Sequence, residues 1–309
     1  MKKNNFLLKN LHQKHLKTSI FAGILLAFIF ALNQNILFAS PFISTAEGHS
    51  DKRFTKIIVV IAESYAAREN YLKAQEQLLN ILRYDPENVT ALSGLGILSE
   101  ATSNYKEAEK KYKEVLKVHP NNKVVNYYLG IVLDKLGKNE ESIEYLIKAS
   151  ELMPLNPIVN YDIGILFSKE NKYDKAVHYN KRAIELKPDF QEAYNNLCYG
   201  QANIGKYQDA LVSCKKAIEL NPKSAPTLDS MGFVYQGLKD YEKALEYYQK
   251  AIKVDSSISE IHLHLALACQ ELGLNKEAIK AYEKYLKMEP NADNIKEIKK
   301  AVKKLKKKI

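Results

Sequence analysis

The stretch that decides the fold is 225-APTLDSMGFVYQGLKDYEKALEYYQKAIKVDSSI-258. Leu228, Met231, Gly232 and Tyr235 are three or four residues apart or adjacent, and so are Tyr241, Ala244, Tyr248 and Ala251. Each set lines one face of a helix. Outward from this stretch the pattern recurs. Pro86, Pro120, Pro154, Pro188, Pro222 and Pro290 fall on one 34-residue lattice, with Ser256 at its single non-proline site. Twenty-four residues before the lattice sites stand Ala62, Gly96, Gly130, Gly164, Cys198, Gly232 and Ala266, all small. Twelve before them stand Ala74, Ala108, Ser142, Ala176, Ala210, Ala244 and Ala278, again all small.

A helix pair explains this register. Two antiparallel helices approach closely only where both carry small side chains, as at Cys198 and Ala210. Proline then closes the second helix, since it lacks an N–H and forces its predecessor out of helical geometry. Pro157 and Pro226 stand in the first turn of a predicted helix, where no N–H is needed. One pair cannot bury its apolar face alone, so the units must stack. The pattern resembles the tetratricopeptide repeat family over seven units: 55–88, 89–122, 123–156, 157–190, 191–224, 225–258 and 259–292. Asn180 and Cys214 depart from it, standing where the family carries an aromatic. The resemblance implies an all-α, right-handed superhelical solenoid of antiparallel helix pairs.

The two ends differ from this body. The formal charge of +10 divides into +5 from residues 1–39, +6 from residues 293–309 and −1 from everything between. A neutral body offers few phosphate contacts and argues against a nucleic-acid partner. Lys2, Lys3, Lys9, Lys14 and Lys17 precede thirteen uncharged, mostly apolar residues, 20–32. That run suits the core of a secretory signal better than a spanning helix, which needs about 20 residues. We therefore expect residues 1–40 to act as a signal peptide, with 41–54 a linker and the protein periplasmic or secreted. The alternative is an uncleaved anchor at residues 18–39 with the repeats on the non-cytoplasmic side. In residues 293–309, Ile295, Ile298, Val302, Leu305 and Ile309 form one stripe, expected to cap the last repeat. The opposite face carries Lys299, Lys300, Lys303, Lys304, Lys306, Lys307 and Lys308. It reads either as a solvated surface or as a basic patch for an anionic membrane or an acidic partner.

No motif for catalysis, metal or cofactor emerges, and none of these is expected. Gly94 and Gly96 lie inside a helix without the third glycine of a phosphate loop. His262 and His264 are two apart on a helix and point to different faces. Cys198 and Cys214 lie on the two helices of one unit, either as free buried thiols or as a bridge. A bridge requires their Cα atoms to come within about 7 Å.

The family lines its concave face with the first helix of each unit. Carried over by position, that face takes Tyr127, Tyr128, Ile131, Tyr161, Ile165, Asn195, Asn196, Tyr199 and Phe233, with Asp162, Asp229 and His264 beside them. Tyrosine joins apolar area to a polar tip and favours interfaces. The resemblance thus implies a non-enzymatic scaffold that holds a protein partner, as an extended peptide or a helix, in its groove. The rival expectation is an accessory factor working through the lysine-rich terminal helix.

Overall fold

The computed structural model describes residues 60, 62, 64–66 and 70–309. The expected signal or anchor and the linker lie outside the described residues, as does part of the first helix of the first repeat. Among the described residues there are fourteen fully bounded helices and no strand. The first, α1 (Tyr71–Tyr84), ends the first repeat. Two pairs follow: α2 (Val89–Ala101) with α3 (Tyr105–Val118), and α4 (Lys123–Lys135) with α5 (Asn139–Leu152). Together these form one compact unit, which ends at Pro154.

The second unit, Leu155–Ile309, holds four pairs and a terminal helix. The pairs are α6 (Pro157–Lys169) with α7 (Tyr173–Leu186), α8 (Gln191–Asn203) with α9 (Tyr207–Leu220), α10 (Ala225–Gly237) with α11 (Tyr241–Val254), and α12 (Ser259–Glu271) with α13 (Asn275–Met288). Helix α14 (Ile295–Lys306) closes the unit.

Local chemistry sets the boundaries. Two residues beyond a lattice proline, Asn88, Asn122 and Asn156 accept hydrogen bonds from the N–H groups of Ala91, Val125 and Ile158 at 3.0, 3.1 and 2.9 Å. These caps satisfy donors that the first turn leaves open. Within each pair the turn passes through the left-handed region on the same 34-residue spacing. Its residues are Ser103, Gly137, Asn171, Gly205, Lys239 and Gly273, with φ between 57° and 77°.

Where the two helices of a pair cross, the small residue of the first receives a large residue of the second. A Cβ at Gly232 would lie 2.5 Å from Cε1 of the buried Tyr248 ring. Gly96 faces Tyr112, Gly130 faces Leu146 and Gly164 faces Asn180 in the same way. In the 191–224 repeat that slot holds Cys198 and Cys214, which are joined by a disulfide with Cα atoms 5.2 Å apart. Where the large residue is a tyrosine it is also latched at its tip. Tyr112 donates its hydroxyl hydrogen to Glu100 at 2.6 Å, Tyr248 to Gln236 at 3.0 Å and Tyr282 to Gln270 at 3.2 Å.

At the end of the second unit, Ile298, Val302 and Leu305 of α14 are buried against Ile279, Tyr282 and Tyr285. Ile309, the last residue of the expected stripe, lies beyond the helix and is exposed. Among the described residues no helix is long and apolar enough to cross a membrane.

Candidate functional site

In the second unit, successive first helices touch one another: α6 with α8, α8 with α10 and α10 with α12. Successive second helices make no comparable contact. The first-helix layer is therefore the tighter, inner side of this unit. Along it runs a row of rings. Tyr173 meets Tyr199 edge-on at 6.1 Å between centroids, Tyr199 meets Phe233 at 5.6 Å, and Phe233 meets His264 at 6.0 Å. These spacings lie in the range of favourable aromatic pairs. His264 is fixed from below by Asp229, whose two carboxylate oxygens lie 2.9 and 3.1 Å from Nδ1.

The expected groove residues divide into two groups. Tyr199 and Phe233 are half-buried members of the ring row. Asn195 and Asn196 are buried on the same helix as Tyr199, and the Asn195 Oδ1 has no hydrogen-bond partner. Asn196 faces the Tyr161 hydroxyl, yet its amide nitrogen makes no well-formed hydrogen bond. Tyr161 and Ile165, expected to be displayed, are instead 5% and 2% exposed. They pack with Ala183, Phe190 and Ala193, filling the space between one repeat and the next. Burial pushes the Tyr161 hydroxyl far above the ordinary tyrosine range.

In the first unit, Tyr127 and Tyr128 are half-buried and meet edge-on at 5.5 Å. Tyr128 also stacks on Tyr112 at 6.1 Å. Ile131 is 2% exposed, so its place on an open face is likewise corrected: it belongs to the packing. A register position tells which helix a residue faces, whereas the depth of cover depends on neighbouring repeats. Large side chains that point along the stack are the ones buried.

Sequence reasoning missed Tyr173. It opens a second helix in register with Tyr105, Tyr207 and Tyr241, which marked it only as a repeat position. Burial and the neighbouring Tyr199 push its hydroxyl well above the ordinary range.

Charge is also segregated in the second unit. Its four first helices carry Asp162, Glu192, Asp229, Glu260 and Glu271 against the single cation Lys169, histidines aside. Desolvation raises the pKa of the Glu260 carboxyl, which lies 3.1 Å from the Ser259 hydroxyl. The expected basic patch on α14 and the residues after it is exposed throughout. One of its members, Lys306, donates to Glu283 at 2.7 Å.

Stacked helix pairs with an inner layer of aromatic and amide side chains define a helical-repeat scaffold. Family profiles described as Tetratricopeptide repeat match residues 59–122, 100–157, 158–190, 192–224 and 224–289. The chain belongs to the tetratricopeptide repeat family. Such proteins generally mediate protein–protein interactions, and the scaffold is typically non-enzymatic. Among solved structures, a tetratricopeptide repeat protein from Parabacteroides merdae is 16% identical, with a TM-score of 0.65 over 81% of this chain and 99% of its own. MamA is 25% identical over 55% of this chain and 93% of its own, with a TM-score of 0.52. YrrB, described as having an unusual peptide-binding site, is 23% identical over 59% and 94%, with a TM-score of 0.53. No curated protein matches the sequence.

Proposed function

We propose that the first-helix layer of residues 155–309 is a non-enzymatic capture surface for an extended peptide segment of a protein partner. The observation that carries this reading is the buried, unpartnered Asn195 Oδ1 beside the Tyr199–Phe233 ring pair. Leaving a buried acceptor unpaired costs about 1–3 kcal/mol. Rotation of the Asn195 amide toward the groove would let a peptide backbone N–H recover that cost, while the rings take the peptide's side chains. Of the carboxylates on these helices, Asp162, Asp229 and Glu260 are buried, while Glu192 and Glu271 reach the surface and favour a peptide that carries lysine or arginine. YrrB offers a precedent only at the level of the fold, through the peptide-binding site attributed to it.

Selection from a random peptide library tests the proposal. Enriched peptides should be cationic. They should lose at least about tenfold in affinity on Phe233→Ala or Asn195→Ala, a loss equivalent to about 1.4 kcal/mol, with the fold retained by circular dichroism. Peptides that bind these variants as tightly as the parent would refute it.

The proposal extends to location. An exported protein, released after cleavage or held by residues 18–39, accords with the basic and apolar leader. It also accords with the Cys198–Cys214 bridge, since disulfides persist in oxidising compartments. Protein isolated from its native host under alkylating conditions should retain the bridge by mass. Two alkylated thiols at these positions would place the repeats in a reducing compartment instead.

A further inference from the structure

The second unit is electrically lopsided in a way that the capture surface does not use. Residues 275–309, comprising α13, α14 and their flanks, hold twelve lysines, every one exposed, against five carboxylates. Of those carboxylates, Glu283 is taken by Lys306 at 2.7 Å and Glu289 accepts from Ser259 at 2.8 Å. The apolar stripe of α14 is already spent, since Ile298, Val302 and Leu305 are buried in the last repeat. What remains outward is eleven lysines against the exposed Glu277, Asp293 and Glu297, on a packed support. We propose that this end of the unit docks on anionic phospholipid bilayers.

Three features favour a bilayer over another polyanion. The surface has no arginine, whose rigid fork grips individual phosphates, and consists of hydrated point charges suited to a diffuse surface potential. It displays no aromatic side chain on which a base would stack, because Tyr282 and Tyr285 are buried. Residues 155–274 carry fifteen carboxylates against fourteen lysines and arginines, so the excess of positive charge in the unit lies at this end. A polyanion that wraps the unit would meet those carboxylates. A flat surface meets the lysine-rich end alone.

The test is flotation of the whole protein with phosphatidylcholine vesicles, with and without phosphatidylglycerol. The difference between the two is the readout, so that any partitioning of the apolar run 20–32 cancels. Each lysine near an anionic surface contributes about a fivefold factor in partitioning. The triple variant Lys300→Gln, Lys303→Gln, Lys307→Gln should therefore lower the anionic preference about 100-fold, without loss of helicity. Lys→Arg at the same three sites should retain that preference, and salt at about 1 M, with a Debye length near 3 Å, should abolish it. An unchanged preference in the glutamine variant would overturn the proposal, as would equal binding to both vesicle types. So would a short DNA duplex held as tightly as the anionic vesicles and lost in the same variant, which would make the end a general polyanion site.

Discussion

Glu100 stands where Gln236 and Gln270 stand four and five pairs later on the same lattice, accepting from a tyrosine hydroxyl in each case. Desolvation dominates its titration, and the carboxyl is pushed up to about 7 from 4.5, against the opposing pulls of Tyr112 and Lys135. Between those two values the folded chain holds a proton that the unfolded chain releases, so stability falls as pH rises through the window. The full effect is of order 3 kcal/mol at most. Glu100→Gln should flatten the decline in Tm between pH 5 and pH 8, and an equally steep decline in the variant would show that Glu100 is not its source. Two glycines separate backbone from steric demands. Gly205 has φ of 77° and nothing within 4 Å of a Cβ, so Gly205→Ala should cost only the backbone penalty of about 1–2 kcal/mol. Gly232→Ala drives a methyl into Tyr248, should cost about 3 kcal/mol, and should be partly rescued by Tyr248→Leu. Rescue of Gly205→Ala by a neighbouring substitution would contradict this division. At this scale the lattice of prolines and small residues was legible because helix crossing and helix termination constrain residue type directly. The burial of Ile131, Tyr161 and Ile165 was not legible, because the cover comes from adjacent repeats rather than from their own helices.

Helices add what single residues cannot. The pairs were readable from two apolar faces separated by a turn, but a first helix alone gives a weak signal. In α6, for example, ten of thirteen residues are buried, Asn160, Asp162 and Ser168 among them, so polarity no longer marks the open side. The reverse holds for α14, where apolar and lysine faces are cleanly divided and the cap was visible in the sequence. Only its end was misjudged: the helix stops at Lys306, which leaves Ile309 61% exposed. Repeat scaffolds are stabilised by nearest-neighbour interfaces, so damage to the cap should stay local. Leu305→Ala should cost about 2–3 kcal/mol. It should raise hydrogen exchange in Asn275–Met288 and Ile295–Lys306, while Pro157–Lys169 stays protected. Uniform loss of protection across residues 155–309 would mean that the unit unfolds as one body.

For the molecule as a whole, counting charge along the chain located the two basic ends but averaged residues 40–292 to −1. That average conceals the carboxylates gathered on the first helices of the second unit, which emerge only when helices are sorted by layer. The capture surface and the lysine end are distinct faces of that unit, so peptide and anionic vesicles should bind together without competing. If polypeptide is held by the first-helix layer, hydrogen exchange with and without a library-selected peptide will report it. New protection is expected in Gln191–Asn203 and Ala225–Gly237, with Tyr207–Leu220 and Tyr241–Val254 unchanged. Protection confined to those second helices, or to Ile295–Lys306, would contradict it.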